Sequence, residues 1–236
     1  MTEFVLVPGA WLGSSVWDEV AAHLRAAGHG THAVTLAGVA DRRGEQPAGQ
    51  QAHVRDVVEA VEGSGLRDVV LVGHSYSGIP VGQAAGRIGD RLTRVVYVDA
   101  NVPVAGGSFV TGFPGGGEVA EAVAANGGSW APPGPEEFDG QGLTPEQTAR
   151  LLAGATPHPG ASLTEPAALA RPLEDLPTTY VKCLLDWPEP SAAVAELLTG
   201  DTWELVEMDT GHWPMFSQPD ELARVLLAAA GHAPGS

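Results

Sequence analysis

The chain has one cysteine, Cys183, and one lysine, Lys182, side by side in YVKCLL. A lone cysteine excludes an intrachain disulfide and a cysteine metal cluster. Within its apolar run it reads as a small filler of a buried strand. Basic residues are scarce, with 12 Lys and Arg against 29 Asp and Glu, for a net charge of −17 over 236 residues. That balance lacks the basic footprint of nucleic-acid binding and gives no attraction to anionic membranes. No apolar run approaches the ~20 residues that span a bilayer. The start, MTEFVLVPGAW, has no basic region ahead of its apolar run and does not resemble a signal peptide. The expectation is a cytoplasmic protein acting on a small molecule, without nucleic acid or membrane, and compatible with a homodimer. No H-E-x-x-H or similar spacing occurs, so neither a metal nor a cofactor is expected.

What is present is alternation. EFVLV, HAVTL, DVVLVG, RVVYVDA, TTYVKCLLD and TWELVEM read as strands, several apolar on both faces as in a parallel sheet covered by helices. Between them run helical stripes. Trp17, Val20, Ala21 and Leu24 follow a Ser15–Asp18 start and precede Gly28; Val54, Val57, Val58 and Val61 form a second stripe. Leu222, Val225, Leu226 and Ala229 form a third, behind Ser217 and Asp220. Strand–helix alternation predicts an α/β class chain with a six-stranded, mostly parallel, doubly wound sheet.

The alternation breaks between about Asn101 and Pro172, a stretch dense in Gly and Pro but carrying Phe109, Phe113, Trp130 and Phe138. Roughly 70 residues exceeds an ordinary connection, and its aromatics favour an ordered cap over a linker. The expected division is a core of 1–102 and 173–236 with a cap insertion of 103–172. The tail GHAPGS is expected to fray.

In DVVLVGHSYSGIPVG, Ser75 stands where a strand ends and a helix begins. A phosphate loop would need a lysine and a dinucleotide loop G-x-G-x-x-G; neither is here. The stretch nearly matches the nucleophile elbow G-x-S-x-G, with Ser77 in place of the second glycine and Gly78 following. A serine hydroxyl needs a base. On this fold the order is Ser, acid, His, and His212 follows the last strand in TGHWP. Asp186 ends the strand before it and is the expected acid; Glu189 competes, and Asp99 at the end of RVVYVDA is the reserve. Backbone N–H groups of Tyr76 and Ala10, with Trp11 next, are the expected oxyanion donors. Leu12, Trp130, Trp187 and Trp213, with Trp11 and the cap phenylalanines, are the expected lining of an apolar pocket.

With FVLVPGAWLGSSVWDEV, LVGHSYSG, VVYVDANVP, TPHPGASLTEP, YVKCLLDW and TGHWPMFSQPDELA in view, the chain resembles the α/β-hydrolase superfamily. Within it, the resemblance is to the plant methylesterase and hydroxynitrile lyase group and its bacterial relatives. It implies an α/β-hydrolase fold with a triad of Ser75, Asp186 and His212. The family usually opens its oxyanion loop with His-Gly, where this chain has Pro8–Gly9. The hydroxynitrile lyases nearest this pattern carry a threonine and a lysine where Gly9 and Trp213 stand, which turns the expectation towards methylesterase-like hydrolysis of a small, neutral, apolar or aromatic ester. A lyase, lactonase or cyclase acting on a polyketide-like metabolite is the alternative within enzymes. A non-catalytic small-ligand receptor is the alternative outside them.

Overall fold

The computed structural model describes residues 1–46 and 48–231; the tail from His232 onward lies outside the described residues. The chain runs β1 (Glu3–Val7), α1 (Asp18–Ala26), β2 (Gly30–Ala33), α2 (Gln50–Glu62), β3 (Val69–His74), α3 (Gly78–Ile88) and β4 (Leu92–Val98). Then come α4 (Phe109–Gly112), α5 (Gly116–Ala125), β5 (Ser129–Trp130), α6 (Pro145–Gly154), β6 (His158–Pro159) and α7 (Gly160–Thr164). It returns through β7 (Thr178–Cys183), α8 (Ala192–Leu197), β8 (Trp203–Met208), α9 (Pro214–Ser217) and α10 (Pro219–Gly231). Six strands form one parallel sheet in the order β2-β1-β3-β4-β7-β8. The order reverses between β1 and β3, and such a switch point opens a crevice at the carboxyl ends of the strands. Ser75 follows β3 directly at that place.

The double-sided apolar strands sort their residues by parity, as the pleat requires. Val5 and Val7, Val69 and Leu71, Val95 and Tyr97 face one layer, where α2 and α3 supply Val54, Val57, Val61 and Val81. Phe4 and Leu6, Val70 and Val72, Val96 and Val98 face the other, where α1 and α10 supply Trp17, Val20, Leu24, Leu222 and Leu226. Each of these side chains, fully buried, stabilises the fold by roughly 1.5–3 kcal/mol.

Three boundaries differ from the sequence reading. The second strand pairs from Gly30 rather than His32: Val34 still donates to the Leu6 carbonyl (2.9 Å), but Thr35 turns away to accept the Ser14 N–H (3.1 Å). A 3-10 turn over Ser14–Trp17 precedes α1. The last helix starts at Pro219 rather than at Ser217, whose hydroxyl pairs with that of Thr210 (2.6 Å), because the proline disfavours helical backbone at Gln218.

The stretch between β4 and β7 is built from α4–α7 and a two-stranded antiparallel pair, β5 with β6. Aromatic contacts hold it: Phe109 stacks on Phe113, and Trp130 lies 4.2 Å from Trp11 of the core. No helix among the described residues is long and apolar enough to cross a membrane.

Candidate active site

Three non-glycine residues at the carboxyl edge of the sheet take left-handed backbone: Trp11 (φ 67°), Ser75 (φ 53°) and Asp99 (φ 43°). Such a conformation costs of order 1–3 kcal/mol each and persists only where the surroundings enforce it. Here they do. The Ser75 carbonyl accepts the Asn101 N–H (3.1 Å), Asp99 N–H donates to Val181 (2.7 Å), and the Trp11 carbonyl accepts the Thr156 N–H (2.9 Å). The elbow is tight on both sides of Ser75. A Cβ on Gly78 would stand 2.3 Å from the Asn101 carbonyl, and one on Gly73 would stand 3.0 Å from Val81. Ser77 replaces a glycine usefully, because its hydroxyl donates to the His74 carbonyl (2.8 Å) with the Val7 carbonyl also in reach (2.9 Å).

His212 faces Ser75 from the loop after β8, with Nε2 2.8 Å from Oγ. Its Nδ1 lies 2.7 Å from Asp99 Oδ2 and 3.5 Å from Asp186 Oδ2. Two carboxylates therefore serve one imidazole, and the residue held in reserve by the sequence reading makes the hydrogen bond. Asp186, the expected acid, stands within ion-pair range only. The Asp99 side chain is 2% exposed and the Asp186 side chain 23%. The other oxygen of Asp99 takes the Lys182 ammonium and the Cys183 N–H (3.3 Å).

Burial opposes charge on His212, but the Asp186 and Asp99 carboxylates outweigh it and raise the imidazole to about 9. Burial likewise opposes the Asp99 charge, yet His212 and Lys182 hold its carboxyl well below the usual range. His74 behaves oppositely. Burial, helped by the nearby His212, pushes it down to about 3, and as a neutral ring it donates Nε2–H to the His212 carbonyl (2.7 Å).

Of the expected oxyanion donors, Ala10 and Tyr76 line the cavity beside Ser75. The Trp11 N–H is spent elsewhere: it donates to Nδ1 of the buried His158 (3.3 Å). His158 then gives its other N–H to Ser162 (3.0 Å), whose hydroxyl donates to the Pro159 carbonyl (2.7 Å). The Tyr76 hydroxyl donates to Nδ1 of buried His53 (2.8 Å), whose Nε2–H donates to the Ala37 carbonyl (2.8 Å). Burial pushes both histidines down, so both stay neutral and brace Trp11 and Tyr76.

The cavity over Ser75 measures about 1010 Å³ and includes Trp11, Phe109, Phe113, Trp130, Trp187 and Trp213 in its walls. Leu12 does not line it. With Trp11 in the left-handed region, the chain turns Leu12 into the layer of Trp17 and Leu24, where it is 1% exposed. Phe138 is also core, against Trp213 at 4.6 Å.

Residues 4–225 match the model of the alpha/beta hydrolase family. The chain belongs to that family. This hydrolase is 32% identical to the carbendazim hydrolyzing esterase of Nocardioides sp. (strain SG-4G) over 97% of its own length and 99% of the relative's. It is 28% identical to Methylesterase 7 of Arabidopsis thaliana over 97% and 96%. A solved structure, an extracellular alpha/beta-hydrolase from a Paenibacillus species, superposes with a TM-score of 0.85 at 22% identity, covering 98% of this chain and all of that one. Family and relatives make the hydrolase an ester-cleaving enzyme.

Three of its site residues escaped the sequence reading. Lys182 carried a signal, since a lysine inside an apolar strand is costly unless paired. His158 and Gln141 carried none: their partners are 147 and 71 residues away in sequence. Asp99, Asp186 and His212 also form a cluster with ligating atoms within 4.8 Å. The Lys182 ammonium already occupies one Asp99 oxygen and Ser75 occupies Nε2, an arrangement suited to moving protons.

Proposed function

We propose that the enzyme hydrolyses a small, neutral, apolar or aromatic carboxylic ester, methylesterase-like, through an acyl-enzyme on Ser75. His212 Nε2 takes the hydroxyl proton as Oγ attacks the ester carbonyl. The imidazolium so formed donates Nδ1–H to Asp99, with Asp186 adding a second negative charge beside it. The oxyanion is received by the backbone N–H groups of Tyr76 and Ala10. His212 returns the proton to the leaving alcohol, and water resolves the acyl-enzyme by the same relay. The unbroken chain Ser75–His212–Asp99, at 2.8 and 2.7 Å, carries this reading.

The substrate class rests on the aromatic walls and on the charge of the site. Among the described residues, Lys182 is the one basic side chain of those walls apart from His212, and it is already committed to Asp99, so a free carboxylate on the substrate would find no partner among them. The esterase and methylesterase names of the relatives supply the ester. Cys183 is a buried thiol whose pKa burial pushes up and whose reactivity is low, so it takes no part in this chemistry.

A fluorophosphonate probe tests the reading. Stoichiometric labelling of the wild type, lost in Ser75→Ala and His212→Ala, is expected, with p-nitrophenyl acetate turned over for many cycles. Solvent ¹⁸O entering the acid product separates hydrolysis from lyase or cyclisation chemistry. A folded wild type that takes no label refutes the serine mechanism.

A further inference from the structure

Gln141 belongs to the stretch between β4 and β7, in the loop between a turn at Pro135–Phe138 and α6. Its side-chain oxygen accepts the backbone N–H of His212 at 2.7 Å. Its amide nitrogen points to Asp186 Oδ1 at 3.4 Å. Partner chemistry fixes the orientation of the amide: only the oxygen can accept from an N–H, and only the nitrogen can donate to a carboxylate. The backbone is equally close. A Cβ on Gly211 would lie 2.3 Å from the Gln141 carbonyl and 2.4 Å from its Oε1, so the loop of His212 runs directly beneath this residue. Nearby, the Phe138 ring packs on Trp213, the next residue after His212.

These contacts close a circuit. His212 main chain bonds to Gln141, Gln141 to Asp186, and Asp186 stands 3.5 Å from the His212 imidazole. Asp99 needs no such help, since Lys182 and the Cys183 N–H already fix it from within the sheet. Asp186 lies after β7 on the cavity wall, where its side chain accepts from Gln141.

We infer that Gln141 is a positioning residue of the catalytic site: through it the cap fixes the His212 loop and holds the second carboxylate, Asp186, against the imidazole. The inference rests on the proposed role of His212 as the base. Its consequence is that a loop remote in sequence from the three reacting strands contributes to turnover without touching substrate at the reacting atoms.

The test is steady-state kinetics on p-nitrophenyl acetate across pH, with Gln141→Met as a variant of similar size that can make neither bond. The groups facing His212 are Asp99 from the end of β4, Asp186 after β7 and His74 from β3, with Lys182 behind Asp99. Losing the two bonds should lower kcat about tenfold, the usual worth of a hydrogen bond or two, with KM within about twofold. The acid limb of kcat/KM should move to lower pH as Asp186 drifts from Nδ1. In an Asp186→Asn background the same substitution should leave the limb where it is. Unchanged kcat and limb in a folded Gln141→Met enzyme overturn the inference, as does an equal limb shift in both backgrounds. If that variant does not fold, Gln141→Glu carries the test: it keeps an acceptor for the His212 N–H, loses the donor, and adds a carboxylate that should raise the limb. A folded Gln141→Glu enzyme with wild-type kcat and limb is equally fatal. Wild type that fluorophosphonate cannot label would instead sink the proposed mechanism.

Discussion

Which carboxylate acts as the acid can be decided by replacing each with its amide. Distance alone separates them modestly. At an effective dielectric near 20, a charge on Nδ1 is attracted by about 6 kcal/mol at 2.7 Å and about 5 kcal/mol at 3.5 Å, a difference of about one decade in rate. Alignment and burial widen the gap, because only Asp99 is hydrogen-bonded to the ring and its side chain is almost wholly enclosed. Asp99→Asn should lower kcat by about 10³–10⁴, as at other triads, whereas Asp186→Asn should cost about tenfold. The first substitution has a structural side effect: it leaves the buried Lys182 ammonium without its counter-charge, which costs about 3–5 kcal/mol. The informative variant is therefore Asp99→Asn with Lys182→Met, which removes both charges, should restore most of the melting temperature and should remain slow. Both single amides should also lower the acid limb of kcat/KM from about 9 towards the ordinary 6.5. The assay is kcat/KM from pH 5 to 10 beside a thermal melt. A double variant with near-wild-type kcat, together with an Asp186→Asn enzyme slowed a thousandfold, would show that Asp186 is the acid and refute this reasoning.

Two further outcomes follow from burial and charge. Leu12→Ala should cost ~2–5 kcal/mol of stability by denaturant melt and leave KM for a series of aromatic esters unchanged, while Trp130→Ala should raise KM for the same series; the opposite pattern would return Leu12 to the pocket wall. His212, raised above its unfolded value by Asp186 and Asp99, adds stability that is fully present below pH 6.5 and lost as pH rises through about 9. The melting-temperature advantage of wild type over His212→Gln should therefore shrink between pH 6 and pH 10, and a constant gap would contradict the raised imidazole.

The meeting of Ser75 and His212 was legible in the sequence because each follows an unmistakable strand, and the parallel sheet brings all strand ends of one sense to one edge. The same argument could not rank Asp99 against Asp186, since both end strands that pair side by side, β4 with β7. Their ranking depends on the left-handed turn at Asp99 and on Lys182, 83 residues along the chain, which holds its other oxygen. Neither a φ angle nor the partner of Lys182 is written in local pattern. Leu12 failed for a related reason. It was expected on the wall as an apolar residue of the loop beside Ser75, but with Trp11 at φ 67° the chain turns it into the core. The aromatics of the stretch between β4 and β7 were readable, but not what that stretch delivers, because Gln141 and His158 reach the site through contacts that span 71 and 147 residues. Periodicity thus located the strand ends where these side chains meet, and what it could not see were the few residues whose backbone departs from regular structure or whose partner lies in a different layer. Of these, Asp99 joins Asp186 in raising the imidazole of His212, so the pH profile is where the proposed mechanism differs most from what the motifs alone would give.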